Sequence, residues 1–143
     1  MTVKAILDAK GREVATIRPD NTLAEAAALL ASHRIGALVV TKGDDRIAGI
    51  LSERDIVRAV GEEGADALQL PVSNAMTSSV KICHENNTAN ELMEIMTQGR
   101  FRHLPVEKDG RLAGIISIGD IVKSRIEEVI REAEEMKSYI ATA

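Results

Sequence analysis

Gly49-Ile50-Leu51-Ser52-Glu53-Arg54-Asp55-Ile56-Val57 returns 65 residues later as Gly114-Ile115-Ile116-Ser117-Ile118-Gly119-Asp120-Ile121-Val122. Upstream the likeness continues at an offset of 66, in Val14/Val80, Asn21/Asn87, Thr22/Thr88, Glu25/Glu91, Arg34/Arg100, Leu38/Leu104, Val40/Val106 and Lys42/Lys108. One residue is lost between Lys108 and Arg111, and Arg46/Arg111 and Ala48/Ala113 then keep the offset of 65. The chain is a tandem duplication. Polar residues kept at the end of each repeat imply two related clefts, with function where the repeats meet.

Each repeat reads strand, helix, strand, strand, helix. Thr22 with Glu25, and Thr88 with Glu91, form the Thr-x-x-Glu capping box that satisfies backbone donors of a first helical turn. Leu23, Ala26, Ala27 and Leu30 then lie on one helical face, matched by Ala89, Leu92, Met93 and Met96. Ala37–Val40 turns through Lys42–Asp45 into Ile47–Leu51, and Leu104–Val106 turns through Lys108-Asp109-Gly110 into Leu112–Ile116. Asp-Gly between apolar runs is a hairpin signal. Runs with so little alternation suit strands covered on both faces. Val14–Ile17 and Val80–Cys83 each predict one more short strand.

The repeats divide the chain into residues 1–63 and 64–123, followed by a helical extension over 124–143 that prolongs the helix opened at Asp120. Val122, Ile126, Val129, Ala133, Met136 and Ile140 are spaced as a coiled-coil seam, and Glu127 and Arg131 as a supporting ion pair. Two placements fit this helix: packed along its own domain, or in a subunit contact.

With 143 residues the chain suits one compact domain or two small units sharing a core. Hydrophobic residues at 45% and charged residues at 28% exclude a disordered chain. One Phe, one Tyr and no Trp leave the core to aliphatic side chains, so a bound ring cannot rely on aromatic sandwiching. A net charge of −4 argues against nucleic acid as the main partner, because phosphate neutralisation needs clustered Lys and Arg. The single Cys83 excludes an intramolecular disulfide and suits a reducing compartment; its expected role is packing. Met1-Thr2-Val3-Lys4 begins nothing like a signal peptide and no run approaches membrane-spanning length, so a cytoplasmic protein with no membrane partner is the expectation.

Ser52-x-x-Asp55 and Ser117-x-x-Asp120 stand where a strand hands over to a helix, and two readings share that geometry. As a capping box, Ser and Asp finish off the helix. As a binding motif, the free N–H groups and the Ser hydroxyl take an anion while the carboxylate accepts both hydrogens of a vicinal diol, a combination that fits a nucleotide. Gly49 and Gly114 precede the serines by three residues, and glycine weakens a strand unless a backbone or ligand comes close. Arg100, Arg102, His103 and Arg54 gather cations nearby, and Gly36-Ala37 stands in the first repeat where Arg102-His103 stands in the second. His33, His84 and His103 have no ligand spacing, which argues against a metal site, and His33 reads as a helix-surface residue.

These features resemble the cystathionine-β-synthase (CBS) domain pairs, or Bateman modules: tandem β-α-β-β-α units, Gly-x-x-Ser-x-x-Asp at Gly49–Asp55 and Gly114–Asp120, and Arg102-His103-Leu104-Pro105-Val106. The resemblance covers roughly Thr2 to Lys123 and is closest to the small stand-alone bacterial type. It implies an α/β fold of two repeats about a pseudo-twofold axis, with two clefts that bind AMP, ADP, ATP, NAD(H) or S-adenosylmethionine. The Asp would hold ribose, the Ser and the next helical turn phosphate, and backbone near the first strand adenine. One cleft would then use Ser117, Gly119 and Asp120 with Arg102 and His103, closed by Val14, Thr16, Ile17, Ile35, Gly36 and Ala37. The other would use Ser52, Arg54 and Asp55 with Val80, Ile82, Cys83 and Phe101. The Asp120 cleft, with the smaller Gly119 at its helix start, is the expected adenylate site. The resemblance further implies a homodimer and a regulatory, non-enzymatic role toward a protein target that the residues do not name. Vestigial clefts in a structural module, and an enzyme, are the other classes to test.

Overall fold

A computed structural model of the protein describes residues 1–142. In the first repeat, β1 (Thr16–Ile17) pairs in parallel with β2 (Ala37–Lys42), and β2 pairs antiparallel with β3 (Arg46–Ser52). In the second, β4 (His103–Lys108) pairs antiparallel with β5 (Arg111–Ser117). Helices α2 (Leu23–His33) and α3 (Glu53–Glu63) belong to the first sheet, α4 (Ala89–Gly99) and α5 (Ile118–Thr142) to the second. Both hairpins carry a register shift at the equivalent place, Val40/Thr41 and Val106/Glu107. Asp109 and Gly110 both have positive φ, as a tight hairpin turn requires.

The strand expected over Val80–Cys83 shrinks to one bridge, Cys83 with Val106. The cause is Pro105. In the first repeat Val39 donates its N–H to Ala15 O at 3.3 Å; the equivalent Pro105 has no N–H to give. Only the bonds flanking Cys83 survive, Cys83 N to Pro105 O and Glu107 N to Cys83 O, each 2.9 Å.

A helix without counterpart in the strand–helix reading, α1 (Val3–Lys10), opens the chain. Thr2 caps it by accepting from Ala5 N at 3.2 Å. Its buried face, Val3, Ile6 and Leu7, joins Cys83, Leu92, Met96, Leu104, Val106, Ile116 and Ile121 in the core of the second repeat. Backbone bonds fix it there: Val3 N to Asn87 O and Ala89 N to Met1 O, both 2.9 Å. The connection between the repeats does the same for the first core. Leu23 N bonds Leu70 O at 2.9 Å, Val72 N bonds Asn21 O at 2.7 Å, and Val72 is buried with Ile17, Leu23, Leu30, Leu38 and Leu51. Each core is thus completed by the segment that precedes the other repeat in sequence.

This exchange explains the strand glycines. A Cβ at Gly49 would lie 2.6 Å from Thr77 O, in the connection that bonds both backbone groups of Ile50; a Cβ at Gly114 would lie 2.8 Å from Leu7 Cδ2. The close approach at both positions is made by the protein itself.

Helix α5 buries Ile121 and Ser124, with Glu128 half-buried, and every residue from Val129 to Thr142 is exposed. Packing of the seam along its own domain is therefore not what the structure has. Glu127 and Arg131 form no ion pair; Arg125 pairs with Glu128 instead, at 3.3 Å.

Candidate functional site

The two hairpins end in equivalent pairs, Ala37 opposite Ser52 and His103 opposite Ser117. The first residue of the following helix then ties back to the residue before the other strand: Glu53 N to Gly36 O at 2.9 Å, Ile118 N to Arg102 O at 2.8 Å. Both capping boxes form. Asp55 N donates to Ser52 Oγ at 3.3 Å and Ser52 N to Asp55 Oδ2 at 2.9 Å; for Asp120 and Ser117 the distances are 3.1 and 2.8 Å. The box occupies one carboxylate oxygen, Oδ2, leaving Oδ1 of Asp120 outside it.

Lys10, the last residue of α1, adds a contact that exists at Asp120 alone. Its Nζ donates to Asp120 Oδ2 at 2.6 Å and to Ile115 O at 2.8 Å. Asp55 has only Arg58, 3.4 Å from Oδ1. Burial by itself would raise the Asp120 carboxyl, but the Lys10 ammonium and the Ser117 backbone and hydroxyl bonds outweigh it and hold the group below its usual 3.8.

A cleft of about 450 Å³ lies between the repeats on the Ser117 side, bounded by Val14, Ala15, Ile35, Gly36 and Ala37 from the first and Ile115, His103 and Ser117 from the second. Lys10, Glu13 and His33 stand around it. That volume falls in the range of small-molecule sites, roughly 300–1,000 Å³. On the Ser52 side the opening is about 170 Å³, bounded by Gly36, Ala37, Ile50, Ser52, Glu53, Arg54, Arg100, Phe101, Arg102 and His103. Gly36, Ala37 and His103 border both, so the clefts meet at the middle of the molecule.

The structure brings together Val14, Ala15, Ile35, Gly36, Ala37, His103 and Ser117 as expected. Asp120 does not border this cleft: its carboxylate is held in the cap with Ser117 and by Lys10, beside a separate recess of about 110 Å³ lined by Ile6, Ala9 and Lys123. Arg102 sits instead with Ser52, Arg54 and Phe101 in the smaller opening. The side chains of Ile17 and Cys83 are in the two cores, and burial pushes the Cys83 thiol up to about 12. Thr16, Val80, Ile82 and Gly119 border neither cleft, nor does Asp55, whose carboxylate stays in its cap. His33 is exposed, as a helix-surface residue should be, yet it stands at the cleft mouth. Lys10, Glu13 and Ile115 escaped the sequence reading. Only for Lys10 was there a signal: Val3, Ile6 and Leu7 behind Thr2 have helical spacing, and Lys10 is next on that face. Among the described residues no cluster of His, Cys, Asp and Glu could hold a metal, and no helix is long and apolar enough to cross a membrane.

The CBS domain family profile matches residues 3–62 and 72–127, one match per repeat. The chain belongs to the CBS-domain family. The CBS-domain containing protein ATU1752 from Agrobacterium tumefaciens is 58% identical, with a TM-score of 0.84 over 87% of this chain and 99% of that one. A 17.7 kDa protein in the bps2 3′ region of Acidianus ambivalens is 37% identical over 130 residues, covering 87% of this chain and 77% of the relative. More distant solved chains share the fold. The CBS domain pair of protein MJ0100, in complex with 5′-methylthioadenosine and S-adenosyl-L-methionine, has 24% identity and a TM-score of 0.80 over 90% of this chain and 98% of that one. CBSX2, in complex with AMP, has 21% identity and a TM-score of 0.70 over 80% and 89%.

The CBS pair's central histidine sets a pH dependence. Burial pushes the His103 imidazole below its usual 6.5, with Lys10 and Arg102 acting in the same direction and Asp120 and Glu53 opposing. A folded-state value below the unfolded one gives stability that is present above about pH 6.5 and lost as pH falls, because the unfolded chain binds the proton first. Asp120 has the same sign in a lower window, below about pH 4. The melting temperature should drop by a few degrees between about pH 7.5 and about pH 5.5, and His103→Gln should flatten that slope. An unchanged slope would place the titration elsewhere.

Proposed function

We propose that this CBS pair is a regulatory protein that binds an adenine nucleotide, or a related adenosyl ligand, between its repeats. The observation that carries the reading is the cleft of about 450 Å³, whose aliphatic wall of Val14, Ala15, Ile35 and Ile115 faces a helix start, Ser117, the Lys10 ammonium and the His103 imidazole. An adenine ring would lie against the aliphatic side chains, with ribose toward Asp120 and phosphate toward Ser117 and the first turn of α5. AMP, ADP and ATP fit this polarity directly. NAD(H) and S-adenosylmethionine share the adenosine half. Ligands of this class in MJ0100 and CBSX2, which have the same fold, support the assignment.

Regulation follows from the position of the cleft. A ligand touching both repeats favours one relative packing and shifts the population of surfaces shown to a protein target, in a cytoplasmic homodimer. Catalysis is not part of the reading. Ser117 Oγ accepts from Asp120 N–H in the cap of α5.

One observation favours a structural module with vestigial clefts: both carboxylates already serve helix caps, and Asp120 has Lys10 as well. Thermal unfolding with AMP, ADP, ATP, NADH and S-adenosylmethionine separates the two. A ligand at about one hundred times its Kd stabilises the native state by about 2.7 kcal/mol and raises the melting temperature. A flat response to the whole panel would leave the vestigial reading standing.

A further inference from the structure

Helix α5 carries two separate faces. Ile121, Ser124 and Glu128 turn toward the body of the molecule. Val122, Ile126, Val129, Met136 and Ile140 form the other face, one residue and so about 100° further round, and are 49%, 53%, 50%, 62% and 68% exposed. Ala133 continues the row and is exposed too. A free helix of so few turns is marginal in water, and an aliphatic row of this length marks an interaction face.

We infer that this row pairs with the same row of a second protomer as a parallel two-stranded coiled coil. The homodimer of the proposed function names no surface; this inference supplies it and is independent of any ligand. The 4-3-4-3-4 spacing is the 3.5-residue repeat that keeps a seam facing a partner, and the small Ala133 at its middle lets two helices approach closely. Flanking charges make the seam complementary to itself in one direction only. In the parallel arrangement Glu132 of each chain meets Lys137 of the other, and no like charges oppose. Antiparallel, Glu132 would meet Glu132 and Lys123 would meet Lys137, both repulsive.

Oxidative cross-linking of the full chain tests the register. Cys83 does not compete, being buried with its thiol pushed up to about 12. Ala133→Cys should give a disulfide-linked dimer about tenfold faster than Glu134→Cys, which lies off the seam. Glu132→Lys should slow the reaction about tenfold, and adding Lys137→Glu should restore it. Equal rates for Ala133→Cys and Glu134→Cys would overturn the seam. Cross-linking only in a mixture of Val129→Cys and Ala133→Cys chains would overturn the parallel direction. A wild-type chain that sediments as a dimer, with no fast Ala133→Cys cross-link, dimerises through another surface; that result sinks this inference and leaves the homodimer.

Discussion

Asp120→Ala weakens AMP binding by roughly 1.5–3 kcal/mol, about ten- to a hundredfold, in isothermal calorimetry. Asp120 is bonded to Ser117, which borders the cleft, and its Oδ1 lies outside the capping box, so a ribose hydroxyl reaching past Ser117 would find a free acceptor there. The carboxylate is held ionised by Lys10 at 2.6 Å and by the Ser117 N–H at 2.8 Å, both on Oδ2. Its loss also removes half of a capping box, so binding has to be separated from stability. Asp55→Ala supplies the control, because Asp55 makes the equivalent cap at Ser52, beside an opening of about 170 Å³. That variant should lose comparable stability and keep its AMP affinity. The opposite pattern would move the ligand to the Ser52 side.

The second large effect lies in the core. Leu7→Ala should destabilise the protein by about 2–5 kcal/mol in urea unfolding, the cost of a cavity at a fully buried leucine. Leu7 has no exposed surface, and its methyl groups occupy the space that a side chain at Gly114 would take. A loss below about 1 kcal/mol would mean that α1 is an accessory on the second repeat rather than part of its core. The same helix delivers Lys10 to Asp120, so packing at Leu7 and charge at the cleft are linked through one short element.

Much of this architecture was legible in the residues because the duplication checks itself. Thr22/Glu25 recurs at Thr88/Glu91, and in both repeats the Thr caps the following helix by accepting from the Glu N–H. The Ser-x-x-Asp corners were legible as geometry but ambiguous as chemistry, since capping and ribose binding use the same carboxylate; both boxes are made, and the corners differ in the surrounding cleft and in the Lys10 contact to Asp120. Gly49 and Gly114 show how a correct inference of close approach can leave its partner open. Their neighbours are Thr77 and Leu7, each distant in sequence. No local pattern could report that residues 1–10 complete the second repeat's core, or that Lys10 reaches Asp120. Pro105 was readable in principle: a residue without an N–H in a strand position cancels the expected ladder over Val80–Cys83. Arg102 stands just before β4 and borders the Ser52 opening alone, whereas His103, the first residue of the strand, borders both.

The central claim is that an adenosine ligand occupies the Ser117–Asp120 cleft. A crystal structure of the protein grown with saturating AMP tests it most directly. The expected density has the ring against Val14, Ile35 and Ile115, the ribose at Asp120 and the phosphate at the start of α5. Water alone in that cleft, with Lys10 still closed on Asp120, would contradict it.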